Sequence, residues 1–274
     1  MRLGTRNAAN ISSLVLLFAS AAWGATWEAT VTSSSPPSFP GPRPMHAKYN
    51  FGWSGFPGAA ADVRLTKTAG DRLQFEGIIH TIGLVRGLWK FDGTHTSSVD
   101  AGTLHPVEMK QVENIRNQKI ITSLSFDSKG VTSKENETPG KSPKIRRFDC
   151  PNLFDLYSAL LYLRSQPLQD RSVQRIVVYP ATSAYLATVT TLGRERLTGP
   201  SGTYNAIKLD LQLSKIGKTR ELEPHRKFRR ATVWISDDSD RLLLKIQAQI
   251  FVGTVVAELQ SVEFEDAKSK PRSD

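Results

Sequence analysis

Arg230-Ala231-Thr232-Val233-Trp234-Ile235-Ser236, then Asp237-Asp238-Ser239-Asp240, then Leu242-Leu243-Leu244-Lys245-Ile246-Gln247-Ala248-Gln249-Ile250 is the stretch that decides the fold class. Side chains that alternate between apolar and polar sort to the two faces of a strand, because successive Cβ atoms point to opposite sides of the pleat. The Asp/Ser run between the two segments suits a tight connection, since Asx and Ser side chains bond their own backbone. A third run over residues 254–264 follows Val252-Gly253, so the three segments read as an antiparallel meander.

The same period recurs upstream. Ala61, Val63 and Leu65 alternate with Asp62, Arg64 and Thr66, and Leu73, Phe75, Gly77 and Ile79 alternate with Gln74, Glu76 and Ile78. An extended run carrying Val107, Met109, Gln111 and Glu113 follows Pro106. Residues 120–126 and 130–135 flank Asp127-Ser128-Lys129-Gly130, a hairpin signal. Residues 173–179, 184–192 and 204–213 extend the series. One segment keeps another rhythm: Leu153, Leu156, Tyr157, Leu160, Leu161 and Arg164 share one helical face. This predicts a helix over about 152–164, capped by Asn152 with Asp155 three residues on, or by Asp149, and stopped by Pro167. The expected fold is mainly β: a long antiparallel meander forming a curled sheet or open barrel, with one main α-helix.

The ends differ from this body. Residues 1–24 read as a signal peptide: Arg2 and Arg6, then the apolar residues 11–22, then Ala22-Trp23-Gly24 with small side chains where a signal peptidase needs them. The apolar run is short for a hydrocarbon core of ~30 Å. Residues 25–44, rich in Pro and Ser, read as an extended lead, and residues 266–274 as a polar tail. The β-rich domain spans 45–265, with a candidate joint between two halves near 136–147, where Pro139-Gly140 and Pro143 fall. An exported location follows, periplasmic in a Gram-negative source, with no transmembrane span after signal cleavage.

Tyr49-Asn50-Phe51-Gly52-Trp53 with Gly58, Thr103-Leu104-His105-Pro106, Phe126-Asp127, residues 155–164, and Val233-Trp234-Ile235-Ser236-Asp237-Asp238 followed by Leu244-Lys245-Ile246, Gly253 and Ala257-Glu258-Leu259 resemble, in order, the landmarks of an exported bacterial family, domain of unknown function 3108. The resemblance covers about residues 45–265. One departure is Leu243-Leu244, where many relatives carry Leu-Pro. The resemblance implies a β-rich envelope domain and brings no catalytic residue with it. By looser analogy such folds look like the open-barrel lipoprotein carriers of the periplasm.

The chemistry is read mostly by exclusion. The 274 residues carry 36 Lys and Arg against 26 Asp and Glu, a formal charge of +10. Loss of Arg2 and Arg6 leaves 34 against 26, a net +8. The single Cys, Cys150, excludes an intrachain disulfide and a cysteine-rich metal site. Placed just before the predicted helix, near Arg146 and Arg147, it has features of a reactive thiol but no partner Cys or His. None of the five histidines, His46, His80, His95, His105 and His225, has a metal-ligand spacing. Asp237-Asp238-Ser239-Asp240 lacks the Gly and Glu of a calcium loop and reads as a turn. Gly52-Trp53-Ser54-Gly55-Phe56 is not a nucleophile elbow, because its second Gly comes one place early. No catalytic residue, cofactor or metal ligand is assigned.

Two residue sets remain as candidate sites. Trp53, Trp89, Phe154, Tyr157 and Trp234 are aromatics that would fill the core or line an apolar pocket of an incompletely filled sheet. Lys144, Arg146 and Arg147, with Lys141, and Arg226, Lys227, Arg229 and Arg230 are clusters suited to anions. The expectation is an exported, non-enzymatic protein holding a lipid or other hydrophobic ligand between the curled sheet and its helix. Two alternatives stay open: a structural protein contacting anionic envelope components, and an enzyme whose site assembles only in three dimensions. Nucleic acid is not an expected partner.

Overall fold

The computed structural model describes residues 26–32, 42–53, 55–68, 70–138, 141–225, 228–250 and 253–265. The predicted signal peptide, most of the Pro/Ser-rich lead and the polar tail therefore lie outside the described residues. Residues 1–30 form a unit of their own, whose described part is a 3₁₀ turn, Trp27–Thr30, closed by Thr30 Oγ1 donating to Trp27 O at 2.7 Å.

The second unit, Val31–Asp274, is built on one sheet. In chain order its elements are β1 (Met45–Trp53), β2 (Phe56–Thr68), β3 (Arg72–Thr81), α1 (Gly83–Leu88), β4 (Phe91–Asp100), β5 (Pro106–Ile115), β6 (Gln118–Asp127), β7 (Gly130–Thr138), β8 (Lys141–Asp149), β9 (Leu153–Phe154), α2 (Leu156–Ser165), β10 (Val173–Val178), β11 (Tyr185–Gly199), β12 (Gly202–Ile216), β13 (Leu222–Pro224), β14 (Phe228–Ser236), β15 (Leu243–Ile250) and β16 (Gly253–Phe264). The order across the sheet is β8-β7-β6-β5-β4-β3-β2-β1-β16-β15-β14-β12-β11-β10-β9, with β13 paired to β12. Among the described residues every strand pairing is antiparallel except the short β9–β10 ladder. The chain thus runs as two meanders joined where β1 meets β16, and β8 and β9 are not bonded to each other, so the sheet is not closed into a barrel.

The local chemistry explains the turns. Asp127 Oδ1 accepts from Lys129 N at 2.8 Å and Gly130 N at 2.9 Å, which closes the β6–β7 hairpin. Asp238 Oδ1 accepts from Ser236 Oγ, Asp240 N and Arg241 N between 2.7 and 3.0 Å, so this carboxylate organises the connection from β14 to β15. Across the candidate joint near 136–147, β7 and β8 pair antiparallel, with Glu137 opposite Lys141, while residues 139 and 140 lie outside the described residues.

α2 starts later than its sequence pattern predicts. Asn152 takes a left-handed φ of 56°, and Leu153 and Phe154 pair in parallel with Val177 and Val178. The cap is Asp155, not Asn152 or Asp149: its side chain accepts from Tyr157 N and Ser158 N, and Ser158 Oγ accepts in turn from Asp155 N at 2.9 Å. This reciprocal box satisfies donors that a helix start leaves open.

The helix joins two apolar clusters. Tyr157 and Leu161 belong with Tyr49, Leu65, Phe75, Val99 and Leu259; Tyr162 and Leu163 belong with Phe154, Ile176, Val189, Ile207 and Val233. Burying one such side chain contributes about 1.5–3 kcal/mol. Helix and sheet therefore hold each other in place over much of the body.

Candidate functional site

The strand alternation sorts β3, β4 and β5 into two faces. Phe75, Gly77, His95, Ser97, Met109 and Gln111 turn toward α2, and their neighbours turn away. Register brings Gly77, His95, Gln111, Thr122 and Glu135 into one row across five strands. Tyr157 lies over this row. Its ring stacks on Phe75 at 5.1 Å and meets the His95 ring edge-on at 6.5 Å. Gly77 leaves room for it, since a Cβ there would lie 2.9 Å from the Tyr157 hydroxyl. Burial pushes the Tyr157 hydroxyl above its ordinary pKa, and the Asp155 and Glu113 charges act in the same direction.

His95 and Glu113 form a half-hidden pair, Nε2 to Oε1 at 3.2 Å, while His95 Nδ1 is buried without a partner. Asp155 is fully buried. Burial raises its pKa, and the bonds from Ser97, Ser158 and Tyr157 oppose that rise. This interior is polar, and hydrogen bonds lock much of it: Gln111 Nε2 donates to Pro180 O at 2.8 Å and Ser133 Oγ to Ala181 O at 2.9 Å. Among the described residues no group of three His, Cys, Asp or Glu gathers in a way that could hold a metal ion.

The five aromatics nominated from sequence do not converge. Phe154 is buried between His105, stacked at 4.8 Å, and Tyr162 at 4.7 Å. Tyr157 is the helix contact just described. Trp234 is buried, donates to Glu195 Oε1 at 2.6 Å, and has the Lys208 and Lys245 ammonium groups 5.5 and 5.9 Å from its ring. These three serve the core. Trp53 and Trp89 instead stand 46% and 49% exposed.

Around those two tryptophans lies a surface that sequence reasoning missed. Trp53 pairs with Phe56 across the β1–β2 hairpin, and Phe56 is 68% exposed. α1 rests beside this hairpin: Ile82 N donates to Gly58 O at 3.0 Å, and Val85 packs over Gly58. With Val85 turned inward, Leu84 and Leu88 face solvent at 84% and 81% exposure. Arg86 fixes the helix through a two-pronged bond to Asp92, at 2.8 and 3.1 Å, and a third bond to Thr81 O. Trp89 follows, then exposed Lys90, whose carbonyl accepts from Arg116 N at 2.9 Å. Arg116 and Lys119, also exposed, extend the same rim at the β5–β6 turn. The available signal was the Leu84–Leu88 spacing of four, but an apolar pair between two strands reads by default as core.

Four cations of the basic clusters, Lys144, Arg146, Arg147 and Arg230, meet carboxylates of the chain. Lys144 and Arg146 approach Glu135 at 3.6 and 3.5 Å, and Arg147 binds both Asp127 and Asp149 at 2.7 Å. Arg230 is bonded to Asp210. Arg226 and Lys227 lie outside the described residues, as does the side chain of Arg229. Cys150 is buried and precedes β9 rather than the first turn of α2, so the helix terminus does not activate it.

No curated protein matches this chain. Among solved structures, a β-barrel-like protein of domain of unknown function 1849 from Brucella abortus shares the fold: TM-score 0.56 and 9% identity over 82% of this chain and 98% of that one. A lipoprotein candidate from Parabacteroides distasonis aligns at TM-score 0.34 and 8% identity over 82% and 97% of the two chains. An exported-protein candidate of YmcC-like fold from Bacteroides fragilis aligns at 0.31 and 8% over 82% and 98%. A family model matches residues 48–260, which take in both meanders and α2, and the chain belongs to that family, Protein of unknown function (DUF3108).

Proposed function

We propose that this chain is an exported, non-enzymatic envelope protein that binds a lipid or other hydrophobic ligand. The observation that carries the reading is the rim of five large apolar side chains, Trp53, Phe56, Leu84, Leu88 and Trp89, left to solvent on α1 and the hairpin beside it. Water-exposed apolar surface of this kind is what an acyl chain covers at a gain of roughly 25 cal/mol per Å². The interior offers less to such a ligand, because α2 packs against the sheet and the row from His95 to Glu135 is polar. The alternative of contact with anionic material through residues 144–147 has less support, since carboxylates of the same chain already meet those cations.

Native mass spectrometry of freshly purified protein, with titration of a fluorescent acyl probe, tests the reading. Co-purified lipid, and probe binding that weakens in Trp53→Ala/Trp89→Ala, are expected. A protein that carries no lipid and takes up no probe would refute it.

A further inference from the structure

We infer that the rim formed by α1 and the β1–β2 hairpin docks on the surface of an anionic phospholipid bilayer, which makes the bilayer itself the hydrophobic partner. The inference rests on the hydrophobic-ligand reading and names the partner. Leu84 and Leu88 lie one helical turn apart, so they project from the same face of α1, and both are more than four-fifths exposed. Soluble surfaces scatter such residues singly; here Val85 seats their helix on Gly58, two residues on from exposed Phe56 and its half-exposed strand partner Trp53, and half-exposed Trp89 follows Leu88 in the chain. Tryptophan favours the membrane–water boundary, where its ring meets acyl chains and its N–H stays hydrated.

The patch is held by structure as well as being exposed. A six-residue helix has little stability of its own. Here Val85 seats it on β2, and Arg86 clamps it to Asp92 and Thr81, so the leucines are presented outward on a fixed base.

Charge identifies the kind of surface. Exposed Lys90 follows Trp89 and its carbonyl accepts from Arg116 N, and exposed Arg116 and Lys119 flank the β5–β6 turn there. Among the described residues Arg116 and Lys119 meet no carboxylate, in contrast to Arg86 on α1 and to Arg147 and Arg230 on the sheet. Apolar anchors flanked by exposed cations match a bilayer that presents phosphate above acyl chains.

The test is co-sedimentation of the chain purified from a periplasmic extract with vesicles of phosphatidylethanolamine and phosphatidylglycerol at 3:1, and with pure phosphatidylcholine vesicles. Monomeric lysophosphatidylglycerol serves as a soluble probe. Partition onto the anionic vesicles is expected. It should weaken about tenfold or more in Leu84→Ser/Leu88→Ser, and comparably in Lys90→Gln/Arg116→Gln/Lys119→Gln or at high salt. Circular dichroism should stay unchanged, since these side chains face solvent. Lysolipid binding without vesicle binding would overturn the docking inference and leave the ligand reading standing; loss of both would overturn both. Equal affinity for the two vesicle types would also overturn it, as would a dimer in ultracentrifugation that the leucine variant dissociates, which would assign the patch to a second copy.

Discussion

Ser97 Oγ donates a 2.5 Å hydrogen bond to Asp155 Oδ2, tying the middle of β4 to the first turn of α2. The other carboxylate oxygen accepts from Tyr157 N, Ser158 N and Ser158 Oγ. Asp155→Ala removes the cap and leaves Ser97 with a buried hydroxyl, so urea unfolding should show a loss of about 2–4 kcal/mol. Asp155→Asn keeps an acceptor and should lose less.

Arg164 presents the opposite case. It is buried, and its guanidinium donates to Asp240 O while Nε has no partner. Burial lowers its pKa, and the Tyr49 hydroxyl and Asp240 work against that. Arg164→Met, which keeps the length without the charge, should stay within about 1 kcal/mol of the parent in denaturant melts, whereas Arg164→Ala, which opens a void, should lose about 2–4 kcal/mol.

Gly130 opens β7 where no side chain fits. A Cβ there would lie 2.1 Å from Phe148 O and 2.9 Å from Asp149 Cα, so the backbone of β8 would have to move. Gly130→Ala should lower stability by more than about 2 kcal/mol and be read as a drop in melting temperature, while Thr132→Ala in the same strand should cost far less.

Acid should destabilise the chain in part through Asp127. The Arg147 guanidinium, with the Lys129 and Gly130 amides, holds this carboxyl well below the usual carboxylate range. A folded-state pKa below the unfolded one gives stability that is present above the unfolded value and is lost as pH falls through the folded value. Thermal melts should decline below about pH 4, near the unperturbed carboxylate value, and Asp127→Asn should decline less steeply. Asp155, whose pKa burial raises, acts in the opposite sense: its contribution is present at acid pH and is lost as pH rises through its folded value.

The closing meander was legible because one face of each strand is apolar: Ala231, Val233 and Ile235 reappear together in one cluster. β4 escaped notice because its inward positions are Gly93, His95 and Ser97, chosen by Tyr157 and Asp155 rather than by water exclusion. β11 and β12 run on to Gly199 and Gly202, past the expected ends at 192 and 204, because a bulge beside Gly193 carries the polar Arg194-Glu195-Arg196 into the ladder. Helical spacing over 153–164 was real from Leu156 onward, but Leu153 and Phe154 found strand partners in β10. The rim could not be read from sequence, since periodicity says which residues share a face and not whether another element covers it.

A sheet that does not close must end on a strand whose outer N–H and C=O groups lack partners, an invitation to any passing extended chain. Here one end strand is the two-residue β9 and the other is β8, which carries Lys141, Pro143, Lys144, Arg146 and Arg147. Proline removes a donor, and Lys144, Arg146 and Arg147, with the carboxylates they meet, would have to shed water if a second β8 came alongside. Its place at the border thus gives β8 the composition that discourages a sheet from growing from molecule to molecule, whatever ligand it meets.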